Sequence, residues 1–187
     1  MTGSSVLPVS IHKNKLYFLF GLENEFEDSA KGWSDFGGGV ESGESIYKTA
    51  LREGGEELTG FLGNEFQLEK HVKKHGGVFH LSYKDNYHVH LFHLEYDDKL
   101  PIYYNQNHEF LWKRMDKRYL SKTMLFEKIN IKWFSIPEIK RKIKSFRPFY
   151  QDIIKMVIKN EKKIRTFLKK RSKTKKRKIL KNKTLKK

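Results

Sequence analysis

The run Lys15-Leu16-Tyr17-Phe18-Leu19-Phe20 is apolar and aromatic and stops at Gly21, the pattern of a buried strand. Residues 22–32 are acidic and polar and predict a loop. Trp33 to Gly43 holds Gly37-Gly38-Gly39 and Gly43, and predicts a second loop with backbone conformations closed to other residues. Glu44 to Leu58 lacks proline and places Ile46, Thr49, Ala50 and Leu51 at helical spacing, which predicts a helix starting at Ser42 or Gly43 and ending at Gly60. Two runs, 77–81 and 87–94, flank Lys84-Asp85-Asn86 as a hairpin would. In the second run His88, His90, Phe92 and Leu94 share one face, and Val89, Leu91, His93 and Glu95 the other. The stretch from Asp97 to Thr123 is too long for an ordinary connection and predicts an elaborated loop or a short helix. A strand follows at 129–134, a helix from Pro137 to Lys144, and a last helix over 148–168 with Ile153, Ile154, Val157, Ile158 and Ile164 on one stripe. Beyond Lys169 only Ile179, Leu180 and Leu185 are apolar, so order is not expected there without a partner.

Composition narrows the class. The chain has 187 residues, 37% hydrophobic and 14% aromatic, which suits one domain with an appendage. The absence of cysteine excludes disulfides, thiolate metal sites and a cysteine nucleophile. No apolar run approaches the roughly 18 residues of a membrane span, and Met1 to Ser10 lacks the pattern of a secretory signal, so a soluble intracellular protein is expected. The net charge of +17 is unevenly placed: Glu161 to Lys187 holds fifteen Lys and Arg against one acid, leaving +3 for the remainder. The expected organisation is therefore a domain over 1–144, a C-terminal helix over 145–168 packed on or extending it, and a basic, disordered tail over 169–187.

The candidate chemistry lies in GGVESGESIYKTALREGGEELTG, residues 38–60. On a helix Glu53, Glu56 and Glu57 share a face, and unpaired they repel by a few tenths of a kcal/mol per pair, about the size of an attractive pair. A hard cation such as Mg²⁺ or Mn²⁺ would relieve that repulsion, and Arg52 can fix one carboxylate by a bidentate contact. A cation so placed would screen a diphosphate and activate water for attack on phosphorus. A solvated acidic helix face is the plainer alternative.

This segment resembles the Nudix box, Gly-x5-Glu-x7-Arg-Glu-U-x-Glu-Glu-x-Gly-U with U a bulky aliphatic, through Gly38, Glu44, Arg52, Glu53, Glu56 and Glu57. It departs at Gly54, Thr59 and Gly60, which are packing and termination positions. A second likeness runs from Phe126 to Ile139, where Glu127 precedes Trp133 as an extra glutamate does in many Nudix enzymes. The resemblance covers about 15–144 and implies an α/β fold, a Nudix α/β/α sandwich around a mixed β-sheet, here with an added C-terminal helix and basic tail. It implies a hydrolase that cleaves a diphosphate linkage with Mg²⁺ or Mn²⁺. Glu53, Glu56, Glu57, Glu127 and the Gly38 carbonyl would bind metal; Glu53 or Glu127 would be the base; Arg52 and Glu44 would orient them. Glu127 also reads as a surface acid before a strand. Residues 33–39 and 56–63 look like Nudix proteins encoded by large DNA viruses, which would place the protein in host cytoplasm; the basic tail admits the nucleus as well.

Substrate choice must come from elsewhere. The tail, with Lys169, Lys170, Arg171, Lys175, Lys176, Arg177 and Lys178, would attract a polyanion, or act as a solvated tail or nuclear localisation signal. The segment 103–114 interleaves aromatics with Lys, Arg and Asn, so Tyr104, Trp112 and Arg114 are candidates for base stacking and phosphate contact, or part of a helix buried on one side. His88 and His90 face opposite His93, so no shared metal site follows. Capped RNA, with release of a methylated guanosine diphosphate, is the expected substrate. Alternatives are small nucleoside diphosphate derivatives, dinucleoside polyphosphates or inositol pyrophosphates, or an inactive Nudix-fold RNA-binding module. The oligomeric state is not legible.

Overall fold

Two-residue alternation builds a sheet that is apolar on both faces. The computed structural model describes residues 2–24, 31–120 and 127–170. Its strands are β1 (Gly3–His12), β2 (Lys15–Glu23), β3 (Trp33–Ser34), β4 (Phe36–Gly39), β5 (Val78–Tyr83), β6 (Tyr87–His93) and β7 (Lys128–Ser135). Its helices are α1 (Ile46–Glu57), α2 (Glu65–Lys74), α3 (Lys99–Trp112), α4 (Lys117–Leu120), α5 (Ile136–Arg141), α6 (Tyr150–Lys159) and α7 (161–170). The order β3-β2-β1-β6-β5 forms the spine, with β4 on the first half of β1 and β7 on β2. The β1–β6 pair is parallel and the other strand pairs are antiparallel, so the sheet is mixed.

Along β1, β2 and β6 the side chains Leu7, Val9, Leu16, Phe18, Phe20, Val89 and Leu91 point to one face, where α5, α6 and α7 cover them with Ile139, Ile153, Val157, Ile164 and Leu168. Val6, Leu19, Phe36 and Phe92 point to the other, under α1, α2 and α3 with Ala50, Leu51, Leu68, Val72 and Tyr104. The architecture is the expected α/β/α sandwich, and residues 145–168 belong to its core.

The structure corrects several boundaries. The first ten residues, considered only as a possible leader, form most of β1, the strand on which β2, β4 and β6 all pair. The loop over 33–43 contains β3 and β4, and α2 had no counterpart in the pattern; it begins with a capping box between Asn64 and Gln67. The irregular 97–123 stretch holds a 14-residue helix, α3. The last helix is two, because Asn160 turns its backbone and side-chain amides onto the Met156 carbonyl and ends α6.

Helix α1 starts later than expected: Ser45 is its N-cap, its side chain accepting from the Lys48 N–H at 3.3 Å, so Glu44 lies outside the helix. The departures at its far end have physical causes. A Cβ on Gly54 would stand 2.4 Å from Val6 Cγ2, so β1 supplies the aliphatic bulk that this position lacks, and the helix sits close on the sheet. Thr59 adopts φ 49, a left-handed conformation that strains a β-branched residue. Thr59→Gly is therefore expected to stabilise the fold by about 0.5–1 kcal/mol, read as a higher midpoint in urea unfolding.

Candidate active site

Arg52 organises the acidic end of α1. Its Nε and Nη2 donate to the two oxygens of Glu44 at 2.9 and 3.1 Å, and its Nη1 donates to Glu53 at 2.9 Å and Glu56 at 3.2 Å. One guanidinium thus fixes three carboxylates that would otherwise repel. Hydrogen bonds from Arg52, and then from Thr49, hold the Glu44 carboxyl down to about 2.

Glu53 lies against β4. A Cβ on Gly38 would be 2.3 Å from Glu53 Oε1, so only glycine lets the carboxylate reach the strand backbone. Burial pushes the Glu53 carboxyl up despite Arg52 beside it, with Glu56 and Glu44 adding to the rise. Glu127, just before β7, is held by its own carbonyl, which accepts from the Asn24 N–H at 2.9 Å. Its carboxyl is pushed up to about 7, first by burial and then by Glu53, with a further contribution from Glu56. Glu53, Glu56 and Glu127 are thus mutually repelling oxygen donors from a helix and a strand end.

Glu57 faces inward. Its Oε2 accepts the Gly37 N–H at 2.7 Å and its Oε1 pairs with Lys128 Nζ at 3.0 Å. Lys128 is fully buried, paired as well with Glu23 and 3.1 Å from Ser34 Oγ, and Arg147 Nη1 donates to Glu23 at 2.6 Å. The Lys128 side chain crosses β2 over Gly21, where a Cβ would stand 2.8 Å from it. Burial opposes charge on Lys128, yet Glu57 and Glu23 leave its pKa above the ordinary value; burial pushes Glu57 well up. Because both Glu57 oxygens accept hydrogen bonds, the geometry holds a carboxylate there.

Among the described residues no three acidic or imidazole side chains already converge as ligands around one point. The donor chemistry nonetheless fits a hard divalent cation: carboxylates on Glu53, Glu56 and Glu127, one lone pair left on each Glu57 oxygen, and a glycine strand beside them. Raised carboxyl pKa values set a sign for stability. A carboxyl with a folded pKa near 7, above its unfolded value, contributes stability at low pH that is lost as pH rises from about 4.5 toward 7. The melting temperature of metal-free protein, measured against Glu127→Gln across pH 5 to 8, should fall more steeply in the wild type. Mn²⁺ should remove that difference.

Two clefts are lined by neighbours of these carboxylates. The first, about 460 Å³, runs past Gly37, Gly38 and Gly39 and is walled by Tyr87, Arg147 and the half-exposed Phe149. Tyr87 is fixed by a 2.7 Å hydrogen bond to Asp35, a buried carboxyl raised to about 6 by desolvation and also bonded by Ser5. The second, about 390 Å³, lies between α3 and the start of β7, lined by Asn24, Asn105, His108, Glu109, Trp112 and Asn130.

The structure thus brings Glu44, Arg52, Glu53, Glu56, Glu57, Gly38 and Glu127 together. Tyr104 is a correction: it is buried, its hydroxyl 2.9 Å from the Glu57 carbonyl and 3.1 Å from that of Lys128, so it offers no ring to a base. Trp112 lines the second cleft, while Arg114 covers the Phe110 ring on the surface, its guanidinium carbon 3.7 Å from the ring centre. Lys169 and Lys170 end α7; Arg171, Lys175, Lys176, Arg177 and Lys178 lie outside the described residues. Across the hairpin His88 stacks on His80 and His90 meets it at a tilt, and burial lowers His90 to about 4, leaving it neutral at pH 7. Sequence reasoning missed Glu23, Lys128, Arg147 and Phe149. The only signal was Lys128 itself, a lysine beginning an otherwise apolar strand next to Glu127.

The model of the NUDIX domain matches residues 13–157. A bifunctional NMN adenylyltransferase/ADP ribose pyrophosphatase from Francisella tularensis, solved with AMP and a Mn ion, superposes with a TM-score of 0.52 at 16% identity, over 85% of this chain and 41% of that one. This chain therefore spans about two-fifths of that protein. A NUDIX hydrolase from Nitrosomonas europaea gives 0.38 at 21% identity, covering 83% and 87% of the two chains, and a C. elegans Ap4A hydrolase gives 0.40 at 16%, covering 77% and 84%. No curated protein matches the sequence.

Proposed function

The chain belongs to the NUDIX domain family, and from that premise we propose that it is a pyrophosphohydrolase that cleaves the diphosphate linkage of a capped RNA, releasing a methylated guanosine diphosphate. The observation that carries the catalytic part is the Arg52-braced set of Glu44, Glu53 and Glu56 seated on Gly38, with Glu127 facing it. The RNA part rests on the charge distribution: a nearly neutral domain followed by a segment with fifteen Lys and Arg against one acid, which favours a polyanion through counterion release.

The residues divide the work as follows. Glu53, Glu56, Glu57, Glu127 and the Gly38 carbonyl would hold Mg²⁺ or Mn²⁺, which when bound supplies charge neutralisation at phosphorus and acidifies water. Arg52 keeps Glu53 and Glu56 in place through the reaction. Where Glu127 is not taken up as a metal ligand, its carboxyl, raised to about 7 by burial and by Glu53, would serve as the base toward water, the alternative base being Glu53. Glu57, itself paired with Lys128, accepts the Gly37 N–H, so the glycine strand keeps its place beside Glu53.

The test is product release from cap-labelled RNA with Mn²⁺ or Mg²⁺, comparing wild type with Glu56→Gln, alongside free cap dinucleotide and small nucleoside diphosphates. A methylated guanosine diphosphate that vanishes in the variant supports the proposal. Cleavage of small diphosphates with RNA untouched would keep the chemistry and reject the substrate.

A further inference from the structure

Three imidazoles that take no part in the acidic cluster meet on one face of the β5–β6 hairpin. Along β6, His93 points away from His88 and His90. The third ring comes instead from the neighbouring strand: the register sets His80 directly opposite His90, and Ser82 opposite His88, so His80, His88 and His90 share a face.

Their spacing suits a small cation. His80 and His88 have ring centroids 5.3 Å apart, with His80 Nε2 3.1 Å from His88 Nδ1, and His80 and His90 have centroids 4.9 Å apart. Around a tetrahedral Zn²⁺ with bonds of about 2.0–2.1 Å, two imidazole nitrogens stand about 3.3 Å apart and their ring centroids about 5 Å apart. The nitrogens do not yet converge on one point, because those of His80 and His88 face each other with a proton between them. A cation would displace that proton. His80 is exposed and can turn to meet it, while His88 and His90 are held in buried positions.

His90 is already set up as a ligand. Its Nδ1 lies 3.2 Å from the Ser5 carbonyl, which can only accept, so the proton sits on Nδ1 and the lone pair on Nε2. Metal-binding histidines are oriented by the same kind of bond. Burial lowers His90 to about 4, and burial and then His88 lower His80, so protons compete weakly for these rings at neutral pH. Neutral nitrogen donors prefer Zn²⁺, Ni²⁺ or Cu²⁺ to Mg²⁺, the reverse of the carboxylates on α1.

We propose that His80, His88 and His90 bind one transition-metal ion of the Zn²⁺ class, with water completing its shell on the exposed side. The ion would staple β5 to β6 beside Tyr47 of α1, whose ring centroid is 5.4 Å from that of His90. The site shares no residue with the carboxylate cluster and does not depend on the hydrolase reading.

Co²⁺ is the probe, because a four-coordinate shell with nitrogen ligands gives it strong visible bands that six oxygen ligands do not. The full chain, free of any histidine tag, is titrated with Co²⁺ in excess Mg²⁺, an ion that favours oxygen ligands. A single ion per chain should develop the bands, and Zn²⁺ should bleach them by displacement. His80→Ala should weaken binding by more than the roughly 10–100-fold lost when a ligand loses only its hydrogen-bond partner. Its melting curve without metal should match that of wild type, since the ring it removes is exposed. Absence of the bands in wild type, or bands that His80→Ala leaves unchanged, would overturn the site.

Discussion

Glu53→Gln is expected to lower kcat by about 10²–10⁴-fold and, in the same protein without metal, to raise the melting temperature. Both effects come from one carboxylate. Glu53 is pressed against Gly38 and buried enough that its carboxyl is pushed up, with Glu56 and Glu44 adding to the strain and Arg52 offsetting part of it. A group whose pKa rises on folding is happier neutral in the fold, so an amide of the same shape relieves repulsion. Under the proposed function that amide also removes a charged oxygen from the place where a cation would be held. A variant that loses activity and gains stability separates a functional carboxylate from a structural one; loss of both would show that Glu53 serves the fold instead.

Lys128→Met should cost about 3–5 kcal/mol, the usual consequence of removing one partner of a buried ion pair. The fully buried ammonium lies between Glu23 and Glu57, and among the described residues Arg147, paired with the same Glu23 oxygen, would remain to offset them. Chemical unfolding measures the loss directly. The double variant Lys128→Met with Glu57→Gln should recover part of it, because the second substitution removes the carboxylate left unpaired. A loss below about 1 kcal/mol, the range of exposed pairs, would mean that water reaches Lys128 in solution.

What could be read in the sequence is what lies close along the chain. Glu53 and Glu56 lie three apart, and Arg52 and Glu56 four apart, so their meeting follows from the helix period, whereas the inward turn of Glu57 onto Lys128 and Gly37 does not. The alternation in 87–94 likewise assigned its faces correctly, Val89 and Leu91 to one core and Phe92 to the other. Lys128, Glu23 and Arg147 meet only because β7 pairs with β2 and the segment before α6 returns to β3, and no local pattern announces such a meeting. Gly54 read as a weakness in the helix, since its partner, Val6, is supplied by a strand more than forty residues earlier. Tyr104 misled because an aromatic beside amides has the same composition whether its hydroxyl caps buried carbonyls or its ring meets a base.

Thr2 and Gly3 help line the first cleft, and the Gly3 N–H is tied to the Asn86 carbonyl at 2.8 Å. A Cβ on Gly3 would stand 2.9 Å from the Tyr87 ring, so even a methyl group there would press on the wall of that cleft and reshape it without touching one carboxylate of the acid cluster.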